Sequence, residues 1–255
     1  MHQIFLLREF VRRDFESRYA GSMLGLLWSL LQPAWQLLLF TFVFSTVLKI
    51  SLLGERTGNF GVFLFCGLMP WLALHEGLSR SATAIVDNAS LVKKIQFPSE
   101  VLVLAMVLGA VLQQGINTVV FLAVLAALGE LHLGGLWLLL VALPLQVALT
   151  LGLALLVATV NTFVRDVAQV LGMILTGWFY LTPVVYPLGQ VPERWRWWLE
   201  LNPLAGLVQL YRAAFLGGEL PALGSLAPLL IAAPLALALG LGVFRGSKAR
   251  FADEL

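Results

Sequence analysis

Three titratable side chains stand together inside an otherwise apolar run: His75, Glu76 and Arg80. Glu76 and Arg80 are four residues apart, which places them on one helical face as an ion pair. Ionisable groups inside a lipid-spanning helix cost roughly 2.5–3.5 kcal/mol each on insertion scales and face an interior or a water-filled path. Two readings fit these three residues: a polar lining of such a path, or a self-neutralising pair near the inner surface or at a subunit seam. Little else in the chain points to covalent chemistry. His2, His75 and His132 have no metal-ligand spacing, so no metal site is expected. The single cysteine, Cys66, lies in an apolar run and reads as a buried, inert thiol. No GxxxxGK[ST] phosphate-binding loop occurs, and no acid/base or nucleophile constellation presents itself. We therefore nominate no catalytic residue and expect no cofactor on this chain.

The elements that must position these groups belong in lipid. The 255 residues are 60% hydrophobic and 12% charged, with a mean hydropathy of +0.90. Soluble chains carry about 25% charged residues, so this one lacks the polar skin a globular body needs. A net charge of +2 leaves no nucleic-acid footprint. Charge-free windows mark the spans, because about 20 apolar residues cross the hydrocarbon layer. They run from Arg18 to Lys49, Arg56 to Glu76, Glu100 to Glu130, Glu130 to Arg165, Asp166 to Glu193 and Glu219 to Arg245. The expected fold is an all-α membrane protein with six transmembrane helices, forming a single domain over residues 1–255. With both termini cytoplasmic, ten of the 16 basic residues fall on inner segments and five on outer ones, with Arg80 in the second span. The N-terminal stretch has no apolar h-region, so targeting is expected to come from the first span.

Residues 3–20 place Ile4, Leu7, Val11, Phe15 and Tyr19 on one helical face and Arg8, Glu9, Arg12, Arg13, Glu16 and Ser17 on the other. Glu9–Arg13 and Asp14–Arg18 are favourably spaced pairs. The pattern predicts a helix in the membrane interface, its arginines among phosphates; packing on a partner is the alternative. Trp28, Trp35 and Phe42 recur every seven residues beside Pro33, which predicts an aromatic stripe along the first span. Trp178, Phe179, Tyr180 and Tyr186 gather towards the outer end of the fifth. Aromatic faces grip sugar rings without locking them; interfacial belting and core packing are the competing explanations.

Residues 187–218 are too apolar for a solvated loop. Trp195, Trp197, Trp198 and Leu199 among Glu193, Arg194, Arg196 and Glu200 predict a short helix at the outer headgroup level. Asn202-Pro203 is a turn signal. A second short helix over Leu204–Leu216, containing Arg212, is too short to cross and is read as re-entrant or interfacial. Together they look like a lid, with a passive anchor as the alternative. On the inner side, residues 88–98 carry Leu91, Val92, Ile95 and Phe97 around Lys93 and Lys94. Asp87 or Asn88 would cap a short helix there and Pro98 would end it. So much apolar surface wants a soluble partner; lipid-phosphate binding by the two lysines competes.

An ordered series of segments then resembles the permease subunit of polysaccharide-exporting ABC transporters of the ABC-2 type, which move O-antigen, capsule or teichoic-acid chains. It runs through Arg18-Tyr19-Ala20-Gly21-Ser22-Met23-Leu24-Gly25-Leu26-Leu27-Trp28, Leu31-Gln32-Pro33, Gly67-Leu68-Met69-Pro70-Trp71, Asn88, Leu91-Val92-Lys93-Lys94, Phe97-Pro98, Val164-Arg165-Asp166-Val167, Thr182-Pro183-Val184-Val185-Tyr186-Pro187, Asn202-Pro203 and Tyr211-Arg212. The resemblance implies a homodimer in the bacterial inner membrane, each half bound to a separate ATP-binding subunit that holds ATP and Mg. It implies that Asn88–Pro98 is the coupling segment docking on that subunit, with Arg165 and Asp166 nearby. It also implies a path at the dimer seam between the first and fifth spans, and outer gate helices over Glu193–Leu201 and Leu204–Leu216. The implied substrate is a polymer on a polyprenyl pyrophosphate, which Arg8, Arg12, Arg13 and Arg18 are placed to meet. The short outer loop from Lys49 to Asn59 identifies no particular glycan. An ABC-2 exporter of a small drug or lipid is the nearest alternative. A stand-alone channel or secondary transporter would usually show repeat symmetry between halves, which is not apparent, and a membrane-embedded transferase ranks last.

Overall fold

The computed structural model describes residues 1–255 except 1, 19–21, 23, 49–51, 53–54 and 94–96, and only the backbone of 2–4, 15, 17, 18 and 26. Among the described residues every regular element is helical, because in hydrocarbon each backbone N–H must find its partner within its own segment. The order is α1 (His2–Arg18), α2 (Trp28–Phe40, continued by a π-helical stretch Thr41–Val47), α3 (Phe60–Asp87), α4 (Ala89–Val92), α5 (Glu100–Leu128), α6 (Leu139–Phe163), α7 (Val167–Tyr180), α8 (Glu193–Glu200), α9 (Pro203–Phe215), α10 (Leu223–Ser247) and α11 (Phe251–Glu254).

Five helical stretches are long and apolar enough to cross a membrane: Trp28–Val47, Phe60–Asp87, Glu100–Leu128, Leu133–Phe163 and Leu223–Glu254. The fifth expected crossing differs. Its window forms the 14-residue α7, about 21 Å long at 1.5 Å per residue, against a hydrocarbon layer of about 30 Å. The chain then leaves the helix through turns at 181–186. A charge-free window measures only where charge is missing, and Pro183 and Pro187 cut this one short.

Helix α3 is the axis. The Asn59 side chain caps it by accepting from the N–H groups of Gly61 (2.9 Å) and Val62 (3.3 Å), and it is buried along most of its length. Helices α5, α6 and α9 pack around it. Helices α6 and α10 cross at backbone contact, since a Cβ on Gly152 would fall 2.2 Å from the Ala236 carbonyl carbon and one on Gly240 2.2 Å from the Gly152 oxygen. Small residues at a crossing are what packing between helices in lipid requires.

A buried amide knot fastens α9 to this core. Gln114 of α5 donates to the Tyr211 hydroxyl of α9 (2.7 Å), and that hydroxyl donates to Gln146 of α6 (2.5 Å). Gln146 donates back to Gln114 (2.7 Å). Unpaired, each of these buried groups would cost about 1–3 kcal/mol, so they hold three helices in one register.

The segment after α7 turns back into the bundle. Trp178 at the end of α7 packs edge-on against Trp71, with ring centroids 6.3 Å apart. Trp71 lies eleven residues along α3 from Phe60, about 16 Å from that helix's outer end. The Trp178 indole N–H donates to Asn202 (3.0 Å), whose own side chain accepts from the Leu204 N–H to cap α9. From that depth α9 climbs back to the surface, where Arg56 donates to the Gly217 carbonyl. Helix α9 is thus packed into the bundle along its length, which both the re-entrant and the interfacial reading allow.

Candidate functional site

One end of the bundle gathers both ends of the described chain around the short α4. Helix α1 docks on α5 and reaches α3 through Asp14. Asp14 is buried, at 5% exposure, and its carboxylate takes the Arg80 guanidinium of α3, which also reaches Glu76 at 3.6 Å. The expected partner of Asp14 was Arg18, whose side chain is outside the described residues, as are those of Ile4, Phe15 and Tyr19. The docked face also contains Phe10, absent from the expected apolar set, whose ring meets Phe97 edge-on at 6.1 Å. Arg8, Arg12 and Arg13 are exposed on the other face. Arg12 pairs with Glu16 at 2.8 Å, and that hydrogen bond and charge raise the guanidinium pKa above its ordinary value.

These contacts revise the apolar loop at 88–98. Val92 and Phe97 are half-buried and pack on the protein's own core, so part of the surface assigned to a partner is used internally. Asn88, Leu91 and Pro98 are half-buried, Lys93 is exposed, and Lys94 and Ile95 lie outside the described residues. Asn88 folds back to donate to the Ala84 carbonyl (2.9 Å). The C-terminal helix reaches the same place: α11 touches α4, Lys248 pairs with Glu100 at 2.7 Å, and Phe251 is buried against Phe163 and Phe244. Arg165 and Asp166 are exposed on the turn between α6 and α7. Asn161 accepts from the Ala168 N–H (3.0 Å) and so steadies that turn.

The aromatic residues divide into two kinds. Trp28, Trp35 and Phe42 are 45%, 61% and 55% exposed, a stripe along α2 and its π-helical continuation. Tyr180 is exposed and its carbonyl accepts from the half-buried Tyr186 hydroxyl (3.0 Å). Trp178 and Phe179, by contrast, are half-buried against Trp71 and belong to the packing that fixes the end of α7.

The two outer helices likewise separate. Trp195, Trp197 and Trp198 of α8 are exposed, and Trp195 and Trp198 help line a cavity of about 620 Å³ with Trp178, Leu181, Asn202 and Pro203. Helix α9 is buried through Leu204–Val208, Leu210, Tyr211 and Ala213–Phe215. Arg212, expected in the gate, is held by packing: its guanidinium lies 3.6 Å over the Phe63 ring and donates to the Val184 carbonyl (2.8 Å). Asn202 stands between the two, bonding Trp178, the Leu181 carbonyl (3.1 Å) and the Thr182 hydroxyl (2.9 Å).

His75 and Glu76 face a polar cavity of about 350 Å³ between α2, α3 and α5. Sequence reasoning missed its other walls, among them Gln32, Gln36, Gln113 and Asn117. The available signal was the amides themselves, standing in charge-free windows where each demands a partner. Arg80 is not in that wall; it lines a second cavity, of about 500 Å³, with Arg13, Asp14 and Asp87. Among the described residues no group of three or more His, Cys, Asp or Glu side chains is placed to hold a metal ion.

Residues 6–216 match the family model described as "ABC-2 type transporter". Curated relatives extend the likeness over nearly the whole chain. The O-antigen export system permease protein RfbA of Myxococcus xanthus is 30% identical over 252 residues, covering 98% of this chain and 95% of that protein. A protein of the same name from Klebsiella pneumoniae is 30% identical over 261 residues, with the same coverage. The polysialic acid transport protein KpsM of Escherichia coli is 24% identical over 234 residues, 91% of this chain and 90% of that protein.

Proposed function

The chain belongs to the ABC-2 type transporter family, and from that premise we propose that it is the membrane subunit of an ATP-driven exporter of a lipid-linked polysaccharide. Two copies form the transporter in the bacterial inner membrane, each paired with a separate ATP-binding subunit that carries ATP and Mg. Both termini are cytoplasmic, and α7 with the turns after it completes a sixth crossing. The observation that carries the polymer reading is the aromatic stripe Trp28, Trp35 and Phe42, whose exposed rings recur every seven residues along α2 and its continuation. The relatives named for O-antigen and polysialic acid support the same substrate class.

In this mechanism the ATP-binding subunit docks on Leu91, Lys93, Lys94, Arg165 and Asp166. Phe97 and Val92 hold the docking segment against the core. Closure of two such subunits pushes on α4 and, through the Asp14–Arg80 pair, carries α1 with α3. The dimer halves tilt apart along α2 and α7, and the polymer slides over exposed rings that grip by stacking and release easily. Helix α8, with Trp195, Trp197 and Trp198, swings about Asn202 as the movable gate, while α9 stays fixed by the Tyr211 knot. Arg8, Arg12, Arg13 and Arg18 meet the pyrophosphate at the inner headgroup level, where an anion is favoured by clustered guanidinium groups.

Co-expression with candidate ATP-binding subunits, followed by purification and an assay for polymer at the outer face of the membrane, tests the reading. A stable complex that exports polymer, with export reduced by Trp28→Ala and Trp35→Ala together, is expected. A folded chain that retains no ATP-binding subunit overturns it.

A further inference from the structure

We propose that the cavity between α1, α3 and α5 binds one zwitterionic phospholipid, its phosphate on Arg13 and its primary ammonium on Asp87. The site stands apart from the substrate route proposed above. The cavity has a volume of about 500 Å³ and lies at the end of the bundle where α3 stops. Helix α3 is about 42 Å long against a hydrocarbon layer of about 30 Å, so its last turn stands at the headgroup level.

The described charged side chains that line it divide into two kinds. Asp14 and Arg80 are spent on each other, with Glu76 also beside Arg80. Arg13 and Asp87 balance in formal charge but do not meet. Among the described residues neither forms an ion pair or a side-chain hydrogen bond. Asp87 is also badly placed for a lone carboxylate. It occupies the last turn of α3, where the helix dipole is negative and no basic residue answers it. Ser79, Thr83 and Asp87 recur at four-residue steps and form one ladder on the wall. The hydroxyls of Thr118, Thr159, Thr162 and Thr176 turn back onto the carbonyl four residues earlier. Those of Ser79 and Thr83 bond no described residue, so they stay open to a ligand.

The chemistry of this wall selects the headgroup. A primary ammonium carries three N–H donors, which the Asp87 carboxylate and the two hydroxyls can accept, and it is favoured at the negative end of a helix. The Arg13 guanidinium suits a phosphate. An anionic headgroup would bring its charge against Asp87, and a quaternary ammonium has no N–H to give. Phe10, Leu102 and Met106 set an apolar wall beside the charges, which favours an amphiphile over a soluble phosphoethanolamine. Arg8 and Arg12 are not among the described lining residues, so the exposed arginines of α1 stay open to a pyrophosphate. A lipid seated here touches α1, α3 and α5 together and fastens the N-terminal helix alongside the Asp14–Arg80 pair.

The test is lipid binding to the purified, delipidated full chain in detergent, counted by native mass spectrometry. Phosphatidylethanolamine, phosphatidylcholine and phosphatidylglycerol with the same acyl chains are offered singly. One phosphatidylethanolamine per chain is expected, held about ten-fold more tightly than either of the others. Asp87→Asn should erase that preference. Equal affinity for the three lipids, or a preference that survives in Asp87→Asn, overturns the site. Tighter binding of phosphatidylglycerol overturns it in favour of a plain anion site. Soluble glycerophosphoethanolamine that competes at the same affinity as the lipid overturns the lipid assignment. If Asp87→Asn fails to fold, Thr83→Val decides: the preference should fall by about three-fold, and an unchanged preference overturns the site.

Discussion

Asp14 of the N-terminal helix is buried against Arg80 of α3, sixty-six positions along the chain. A carboxylate at 5% exposure on a helix otherwise rich in exposed arginines is the anchor that fixes α1 to the bundle. Removing one partner leaves the other desolvated, and Arg80, which is partly exposed, recovers some of the loss from water and Glu76. Asp14→Ala is expected to cost about 1–3 kcal/mol and to make the N-terminal helix cleavable by added protease. Thermal unfolding in detergent, with limited proteolysis, measures both. Asp14→Glu should keep the pair and most of the stability; equal loss in the two variants would mean that packing around Phe10, and not charge, holds α1.

The α6–α10 crossing makes a sharper demand. At Gly152 and Gly240 the opposing atoms are backbone, which no rotamer change can move. Gly240→Val should force the helices apart, cost at least about 3 kcal/mol and abolish folded yield. Gly115 on α5 has open space where a Cβ would go, so Gly115→Ala should be neutral or stabilise by up to about 1 kcal/mol. Monodispersity of the two variants by size exclusion discriminates them.

The long spans were legible because a charge-free window is a direct consequence of lipid, and the start of α9 was legible because Asn202-Pro203 marks its turn by chemistry alone. What escaped was everything set by which helix lies beside which. Asp14 has Arg18 at ideal helical spacing, but the partner that ties it to the bundle, Arg80, lies on another helix and no spacing announces it. Gln114, Gln146 and Tyr211 carry no mutual spacing, and only their fold neighbours make them a knot. The window around α7 holds a shorter helix than its extent suggests, because hydropathy counts residues without asking whether prolines let them stay helical. At the candidate site the exposed aromatics of α2 followed from a seven-residue period, whereas the amide wall opposite His75 did not.

Asn202 ties the end of α7 to the start of α9 through one side chain. It caps α9, accepts from the Trp178 indole, and donates to Leu181 and Thr182. Asn202→Ala should lose the cap, about 1–2 kcal/mol, and free the Trp178 ring. A red shift and quenching of tryptophan emission should accompany it, since the indole gains water. Asn202→Asp, which keeps the cap oxygen, should retain most of the stability while still losing the two donor contacts. If Asn202→Ala leaves stability unchanged, the α7–α9 joint depends on the Trp71 packing and not on this amide.

Leu91 and Phe97 stand in the same apolar stretch but separate by environment. Phe97 packs edge-on against Phe10 and on the core, so Phe97→Glu should put a charge into that contact and lower permease stability by about 2–4 kcal/mol. Leu91, half-buried on the four-residue α4 beside exposed Lys93, faces fewer of the protein's own atoms. Leu91→Glu should change stability by no more than about 1 kcal/mol while releasing the ATP-binding subunit. Co-purification and thermal unfolding of the two variants, measured side by side, distinguish a residue that docks from one that braces. A Phe97→Glu permease with wild-type Tm would show that Phe97 is free to reach the partner, and the bracing role would fall.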